Sequence, residues 1–185
     1  KDHFYGIFEI LDKYKIRAVM LNNVFYSDSQ YQQLLHELKK RNILTIKGFS
    51  GIKIDLGKEN NLFVLYPRTM VSVNEDPNKF SLVLSLCLGN NYFLFTGDIA
   101  SAQEKELLSF LLSNDKYRIL KVAHHGSRYS SSWQFLEYFR PHIAVIEAGN
   151  NTYGHPHPDV LERLEQIGAA IFRTDVDGTV RFKVK

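Results

Sequence analysis

Carboxylate and imidazole side chains gather in a few short segments of this 185-residue chain. Imidazole and carboxylate are borderline ligands that Zn²⁺ and Mn²⁺ accept. Two cations held close together need a shared carboxylate to offset their repulsion, and Asp98 is the natural candidate. The residue types therefore indicate a divalent metal site, with candidates in Asp2-His3, Asp98, His124-His125 and the His155-Pro156-His157 segment.

The candidates share one position relative to the predicted strands. Asp98, His124 and the segment 155–157 each follow an apolar strand or the loop after one. Because sites in layered α/β folds gather at the carboxyl ends of strands, we expect these side chains to converge on one rim. Each segment alone has a structural interpretation, such as a turn or a helix start at Pro158. Their order along the chain favours a site, whereas His36 and His142 are interpreted as structural.

Hydrophobic periodicity predicts the elements that position these residues. The Gly89-Asn90-Asn91 segment predicts a hairpin turn between two long strands. The alternation predicts helices layered on a mixed sheet, an α/β (α+β layers) class. Helices are predicted over 4–14, 28–41, 101–112, 131–139 and 158–167, and strands over 17–21, 43–46, 51–56, 62–66, 80–88, 92–97, 119–123, 143–148, 170–173 and 180–184.

Composition narrows the class of protein. A hydrophobic content of 44% suits one globular domain, and a net charge of +3 is compatible with a polyanionic substrate. The single cysteine, Cys87, lies in an apolar run and is predicted to be buried, which excludes an internal disulfide and a cysteine metal site. No run of about 18 apolar residues is present, so this segment is not predicted to span a membrane. Aromatic residues, 13% of the chain, could supply base-stacking platforms, although most lie at core spacing.

At these segments the chain resembles the metallo-β-lactamase superfamily, and more closely the soluble domain of ComEC-type DNA-internalisation competence proteins and their stand-alone relatives. The similarity implies an αβ/βα sandwich with metals at one edge of two sheets. The matching segments are 2–6, similar to the end of an H-x-H-x-D-H-x-x-G motif, 80–84 and 93–99 around a central hairpin, 120–127 with an H-H-G-S strand end, 151–158 with a late histidine loop, and 173–175 with Gly178.

The resemblance also implies roles for individual residues. Two divalent ions, Zn or Mn, would be held in the intact parent. The metal ligands would be Asp2, His3, Asp98 as the bridge, His124 and His155, while Asp98, His125 and His157 would be catalytic. His125 and His157 would orient substrate or bind a phosphoryl oxygen. Which histidine of each pair is the ligand stays open, with the first of each preferred.

One departure concerns the start of the chain. The two histidines of the H-x-H motif would precede Lys1. We therefore expect 1–185 to be a single domain of this fold with its N-terminal part missing, cut within the H-x-H-x-D-H motif. On this expectation the chain alone holds at most one metal well.

The implied function is that of a metal-dependent hydrolase, a phosphodiesterase or nuclease acting on DNA via a metal-bound hydroxide. Ser127 and Arg128 could contact a phosphate, whereas 130–132 could equally cap the next helix. The alternatives are a non-catalytic truncated binding module, or a hydrolase of another ester class, such as a phosphorylcholine ester or a lactone. A ComEC-like parent would place the domain at the extracytoplasmic face of a bacterial membrane, attached only through segments outside this chain. Any other parent would be cytoplasmic or secreted.

Overall fold

The computed structural model describes residues 6–22, 24, 28–68, 76–111 and 116–184. Its helices are α1 (Ile7–Lys13), α2 (Ser29–Lys40), α3 (Ser101–Leu107), α4 (Trp133–Phe139), α5 (Pro158–Gln166) and α6 (Thr174–Asp177). Its strands are β1 (Ala18–Asn22), β2 (Leu44–Gly48), β3 (Lys53–Gly57), β4 (Asn60–Tyr66), β5 (Val83–Leu88), β6 (Asn91–Phe95), β7 (Tyr117–Lys121), β8 (Ile143–Ile146) and β9 (Ala170–Arg173).

Seven strands form one mixed sheet in the order β3-β4-β5-β6-β7-β8-β9, and β1 pairs with β2 as a separate parallel pair. Strands β3 to β6 are antiparallel, and the predicted hairpin turns at Gly89, whose φ is +52°. Strands β6 to β9 are parallel, so each connection needs a crossover, supplied by α3, α4 and α5 in turn. The carboxyl ends of β6, β7 and β8 consequently lie side by side at one edge of the sheet.

The main core lies between this sheet and the three crossover helices. Leu94, Leu120 and Ala144 stand in register on neighbouring strands and are fully buried. They form one cluster with Phe135 of α4 and Leu164 of α5. Burying a side chain of this size stabilises the fold by about 1.5–3 kcal/mol, so the strand ends that precede the candidate residues are firmly anchored. The layered α/β prediction and the predicted burial of Cys87 are confirmed.

A second, smaller core joins α1 to α2. Leu11 packs against Leu34 and Leu38 of α2, and Arg41 donates to the carbonyl oxygen of Leu11 at 2.7 Å. The side chain of Asp28 accepts hydrogen bonds from the first turn of α2, as expected for a helix cap. None of the helices in the described part of the chain is long and apolar enough to cross a membrane.

Four predicted elements differ in the structure. Residues 180–184 are not a strand, because their backbone forms no strand pairing with other described residues. Phe182 instead packs edge-on against Phe93, with ring centroids 5.5 Å apart. The predicted turn at Asp177-Gly178 is the end of α6. The helix predicted over 101–112 is α-helical only to Leu107, after which one 3₁₀ turn ends at Phe110. The predicted helix start at 131 moves to Trp133, because Ser131 has a φ of +52°.

Candidate metal centre

Asp98 is placed by a tight turn that follows β6. Gly97 has a φ of +53°, and a Cβ there would lie 2.8 Å from Cβ of Ser81, so the turn requires glycine. The hydroxyl of Thr96 donates to the carbonyl oxygen of Lys121 at 2.6 Å, and the backbone N–H of Asp98 donates to Oγ of Ser81 at 3.1 Å. The carboxylate of Asp98 is thereby fixed at the edge of the sheet, with the residue only 7% exposed.

His124 and His125 both adopt left-handed backbone conformations, with φ of +49° and +54°. For a residue with a Cβ this conformation costs about 1–2 kcal/mol, and such strain persists only where surrounding contacts hold it. The N–H of His124 donates to the carbonyl oxygen of Gly97 at 3.0 Å, and Oγ of Ser130 donates to the carbonyl oxygen of Ala123 at 2.8 Å. The first bond attaches the histidine turn to the turn that carries Asp98, and the second links the start of the histidine turn to the segment that follows it.

Four of the predicted site residues lie together at this edge. Nε2 of His125 is 3.7 Å from Oδ1 of Asp98. The ring centroids of His124 and His155 are 5.8 Å apart, and those of His124 and His125 are 6.5 Å apart. Asp2 and His3, the two remaining predicted ligands, lie outside the described residues. The convergence expected from the strand ends is therefore present for Asp98, His124, His125 and His155.

A backbone carbonyl determines the orientation of the His125 ring. Nδ1 of His125 lies 2.7 Å from the carbonyl oxygen of Glu147. A carbonyl oxygen only accepts, so Nδ1 carries the hydrogen and a neutral ring has its lone pair on Nε2, the nitrogen nearer Asp98. Metal-binding histidines typically have their second ring nitrogen fixed in this way. This arrangement makes His125, as well as His124, a candidate ligand.

His155 is held by a loop that Asn151 organises. Oδ1 of Asn151 accepts from the N–H of His155 at 3.0 Å, and its Nδ2 donates to the carbonyl oxygen of His155 at 2.7 Å. Nδ1 of His155 is buried and has no hydrogen-bond partner among the residues that the structure describes. Burial, and then the neighbouring His124 and His125, lower the pKa of His155, so its ring is neutral near pH 7 and retains a lone pair.

His157 is placed differently from the other three histidines. Its Nδ1 accepts from the N–H of Asp159 at 3.2 Å, which caps the start of α5. Its own N–H donates to the carbonyl oxygen of Gly126 at 2.8 Å. These contacts of His157 are structural, and its catalytic role stays a prediction.

The residues after His125 divide into buried and exposed members. Ser127 is 3% exposed, and its Oγ accepts from the N–H of Tyr129 at 3.4 Å, which favours a structural role over a phosphate contact. Arg128 lies over the ring of Tyr129, with Cζ 5.7 Å from the ring centroid. Ser132 accepts from the N–H of Phe135, so it caps α4 as the alternative interpretation expected.

Lys121 is a site-edge residue that sequence reasoning missed. Its Nζ lies 3.4 Å from the carbonyl oxygen of Gly97 and 3.7 Å from a carboxylate oxygen of Glu147. Its side chain is only 11% exposed, so a positive charge is held beside the carbonyl oxygen of Gly97, the residue before Asp98. The available signal was a lysine at the end of an apolar strand, three residues before His124.

Glu104 is a second residue that sequence reasoning missed. Its fully buried carboxyl group accepts from the N–H groups of Ser131 and Ser132, the latter at 2.8 Å, and Nη2 of Arg163 donates to Ser130 on the same turn. Burial raises the pKa of Glu104, while the backbone donors and Arg163 act in the opposite direction. Glu104 therefore holds the segment that follows the histidine turn, although nothing in its helical sequence context distinguishes it from a surface glutamate.

The donor set fits a divalent metal. It combines a buried carboxylate, three imidazoles and, at Nδ1 of His155, a buried nitrogen with no hydrogen-bond partner in the described part of the chain. Within that part, no group of three or more His, Cys, Asp or Glu side chains is already positioned to hold a metal ion. The chemistry of the set is that of Zn²⁺ or Mn²⁺, and its geometry brings the donors to one edge.

The family follows from comparison with known proteins. The model of the metallo-beta-lactamase superfamily matches residues 2–149, most of the chain. The chain belongs to this superfamily, and membership implies a hydrolase that uses a divalent metal. The resemblance inferred from the sequence is therefore confirmed.

Two of the similar proteins are much longer than this chain. ComE operon protein 3 of Bacillus subtilis (strain 168) is 31% identical over 187 aligned residues, which cover 100% of this chain and 24% of that protein. Competence protein ComA of Neisseria gonorrhoeae is 36% identical over 110 residues, 59% of this chain and 16% of that protein. The chain thus spans about a quarter of the length of the first relative, and less of the second.

Among solved structures, the chain is similar to a Parabacteroides distasonis protein provisionally called a metal-dependent hydrolase. The identity is 12% and the TM-score 0.49, with 86% of this chain and 76% of the other covered. This likeness is too weak to bear on function.

Proposed function

We propose that this chain is the metal-binding part of a phosphodiesterase that cleaves DNA. One observation carries the proposal: Asp98, His124, His125 and His155 converge where β6, β7 and β8 end. The similarity to proteins named for competence supports DNA as the substrate, because competence is the uptake of DNA. The cation of Lys121, on a side chain that is 11% exposed, lies at this edge and suits a substrate with a negatively charged phosphate.

The proposed ligands are Asp98, His155, one or both of His124 and His125, and Asp2 with His3. A divalent metal, when bound, lowers the pKa of water toward neutrality and polarises a phosphoryl oxygen. The chain's own residues prepare the site. The carbonyl oxygen of Glu147 fixes the hydrogen of His125 on Nδ1, and the lowered pKa of His155 keeps its ring neutral.

Lys121 is proposed to stabilise charge near the reacting phosphate. Its ammonium group is already ordered by the carbonyl oxygen of Gly97 and the carboxylate of Glu147, so little rotamer freedom is lost when substrate binds. His157, if it contacts substrate, would do so through Nε2, because Nδ1 is engaged with the N–H of Asp159.

The test uses the full-length protein, depleted of metal and then reconstituted with Zn²⁺ or Mn²⁺. Hydrolysis is measured on a single-stranded oligonucleotide, bis-p-nitrophenyl phosphate, a phosphorylcholine ester and a lactone. We expect metal-dependent cleavage of the first two, and a loss of about 1000-fold or more in the Asp98→Ala variant. His36→Ala is the matched control, because His36 is an exposed histidine on α2.

Three outcomes would contradict the proposal. Undiminished cleavage by Asp98→Ala would remove Asp98 from the site. Preferential hydrolysis of the lactone or the phosphorylcholine ester would assign another ester class. Binding of DNA with no hydrolysis under any metal would favour a non-catalytic binding module.

A further inference from the structure

Tyr153 presents an aromatic ring to solvent at the edge of the candidate metal centre. The residue is 82% exposed, yet its ring stacks on His155, with centroids 6.0 Å apart and an interplanar angle of 27°. Tyr153 also lines a cavity of about 440 Å³ together with His125, Glu147, Asn150, Asn151 and His155. One face of the ring therefore packs against His155, a candidate metal ligand, while most of the ring surface is accessible to a bound molecule.

Hydrogen bonds with Asn151 fix the backbone that carries this ring. Oδ1 of Asn151 accepts from the N–H of Tyr153 at 3.1 Å as well as from the N–H of His155. Nδ2 of Asn151 donates to the carbonyl oxygens of Gly149 and His155, at 2.9 and 2.7 Å. The exposure of Tyr153 is consequently a property of an ordered loop, and a ligand that covers the ring would meet a preorganised surface at low entropic cost.

A flat aromatic surface next to the proposed phosphodiesterase site suits a nucleobase. Nucleobases stack on tyrosine rings, and every base offers a π-face, so such contacts do not depend on sequence. A cavity of about 440 Å³ falls within the usual range for a site that encloses a small planar group. The ring lies on His155, so a base stacked on it would place the attached phosphodiester beside the histidines.

We propose that Tyr153 is a substrate-positioning platform, on which one nucleobase of a single-stranded nucleic acid stacks while the adjacent phosphodiester enters the Asp98–His125–His155 edge. This inference rests on the proposed function, and it deepens that function by naming which part of the substrate the chain recognises. It requires binding to depend on the base as well as on the phosphate backbone.

The experiment compares two fluorescein-labelled oligonucleotides, a thymidine 12-mer and the same backbone with every base removed. Dissociation constants are measured by fluorescence polarisation on metal-free full-length protein, so that no cleavage occurs. For the 12-mer we expect Tyr153→Ala and Tyr153→Leu to raise Kd by about 5- to 150-fold, the range for one stacked base. Tyr153→Phe, which keeps the ring, should bind like the wild type, and the Kd for the abasic strand should change less than about twofold in all three variants.

Tyr117 provides the matched control. It also stacks on a histidine, His142, with centroids 4.5 Å apart, but it lies at the start of β7, the opposite end of the strand from the site. Tyr117→Ala should leave both dissociation constants unchanged. Circular dichroism and metal titration of Tyr153→Leu check that the fold and the binding of metal by His155 persist.

The outcomes separate this inference from the proposed function. Equal weakening of both oligonucleotides by Tyr153→Ala, or weakening of neither, would overturn the platform while leaving phosphodiester cleavage intact. Conversely, base-dependent binding through Tyr153 in a protein that cleaves no phosphodiester would support the platform and remove the proposed function.

Discussion

Nδ1 of His125 lies 2.7 Å from the carbonyl oxygen of Glu147, and its Nε2 lies 3.7 Å from Oδ1 of Asp98. The ring is thus oriented from the end of β8 while it faces the turn after β6. The ends of β6 and β8, which flank β7 in the sheet, are thus linked through one imidazole. Because a backbone carbonyl provides the orientation, the arrangement depends on the path of residues 146–148 and not on the side chain of Glu147.

The first prediction concerns this imidazole. His125→Ala removes the oriented Nε2 and should lower the affinity for Zn²⁺ by at least about tenfold, as loss of a ligand or of its support does. Isothermal titration of the metal-free protein measures the change. His36→Ala, at an exposed histidine, should bind Zn²⁺ like the wild type. An unchanged affinity in His125→Ala would assign His124 as the ligand from this pair.

The second prediction concerns Lys121, whose cation lies beside the carbonyl oxygen of Gly97. Lys121→Met keeps the apolar stem and removes the charge that contacts Gly97 and Glu147, so kcat/KM for a phosphodiester should fall by about tenfold or more. The free energy of unfolding should fall by only about 1 kcal/mol, because the ion pair is partly exposed.

Lys116→Met is the control for that substitution. Nζ of Lys116 donates to the carbonyl oxygen of Gly89 at 2.6 Å, a similar contact at the opposite edge of the sheet. It should leave kcat/KM unchanged. If both variants lose activity equally, the loss comes from the change in net charge and not from the position of Lys121 beside Gly97.

Apolar runs were sufficient to predict where the candidate residues would meet. The strands predicted at 92–97, 119–123 and 143–148 correspond to β6, β7 and β8, shifted by one or two residues. Once three parallel strands are adjacent, the residues after their carboxyl ends must approach one another. This is why the proximity of Asp98, His124 and His155 could be inferred, while their roles as ligands stay predictions.

The long-range contacts that support the site could not be predicted from local sequence patterns. Glu104 reaches Ser131 and Ser132 across 27 or more residues, and Lys121 reaches the carbonyl oxygen of Gly97 across 24. Such bonds depend on backbone angles in two separate loops. The strand predicted at 180–184 was wrong for a related reason, because alternation indicates which face is apolar but not whether a partner strand is available.

The third prediction concerns stability against pH. The pKa of Glu104 is raised in the folded state, chiefly by burial, above the unfolded value near 4.5. Its contribution to the free energy of unfolding is therefore fully present below about pH 4.5 and is lost as pH rises through the folded pKa. Glu104→Gln does not titrate, so the unfolding free energy of the variant minus that of the wild type should increase with pH.

Urea denaturation from pH 4 to pH 8 measures this difference, and the other titrating groups cancel between the two proteins. A difference that decreases with pH would show that the donors from Ser131 and Ser132, with Arg163, outweigh burial. Glu106→Gln, an exposed position in the same helix, should show no such trend.

The fourth prediction compares two glycines with similar backbone angles. Gly126 has a φ of +80°, and a Cβ there would lie 2.7 Å from Cβ of Pro156; Gly168 has a φ of +75°, with nothing within 4 Å. Gly168→Ala should therefore cost only the left-handed strain, about 1–2 kcal/mol. Gly126→Ala should cost that amount plus about 1–3 kcal/mol for displacing Pro156.

The same comparison tests the geometry of the site. Pro156 follows His155, so a shift at Gly126 should move that imidazole, and a displacement of about 1 Å can lower activity by about 100-fold. Gly168→Ala should retain wild-type kcat/KM, since it lies at the end of α5, away from the histidine turn. Equal stability in the two variants would mean that Pro156 moves away from the added methyl group without loss of stability. Equal activity would mean that the packing of Gly126 against Pro156 does not position His155.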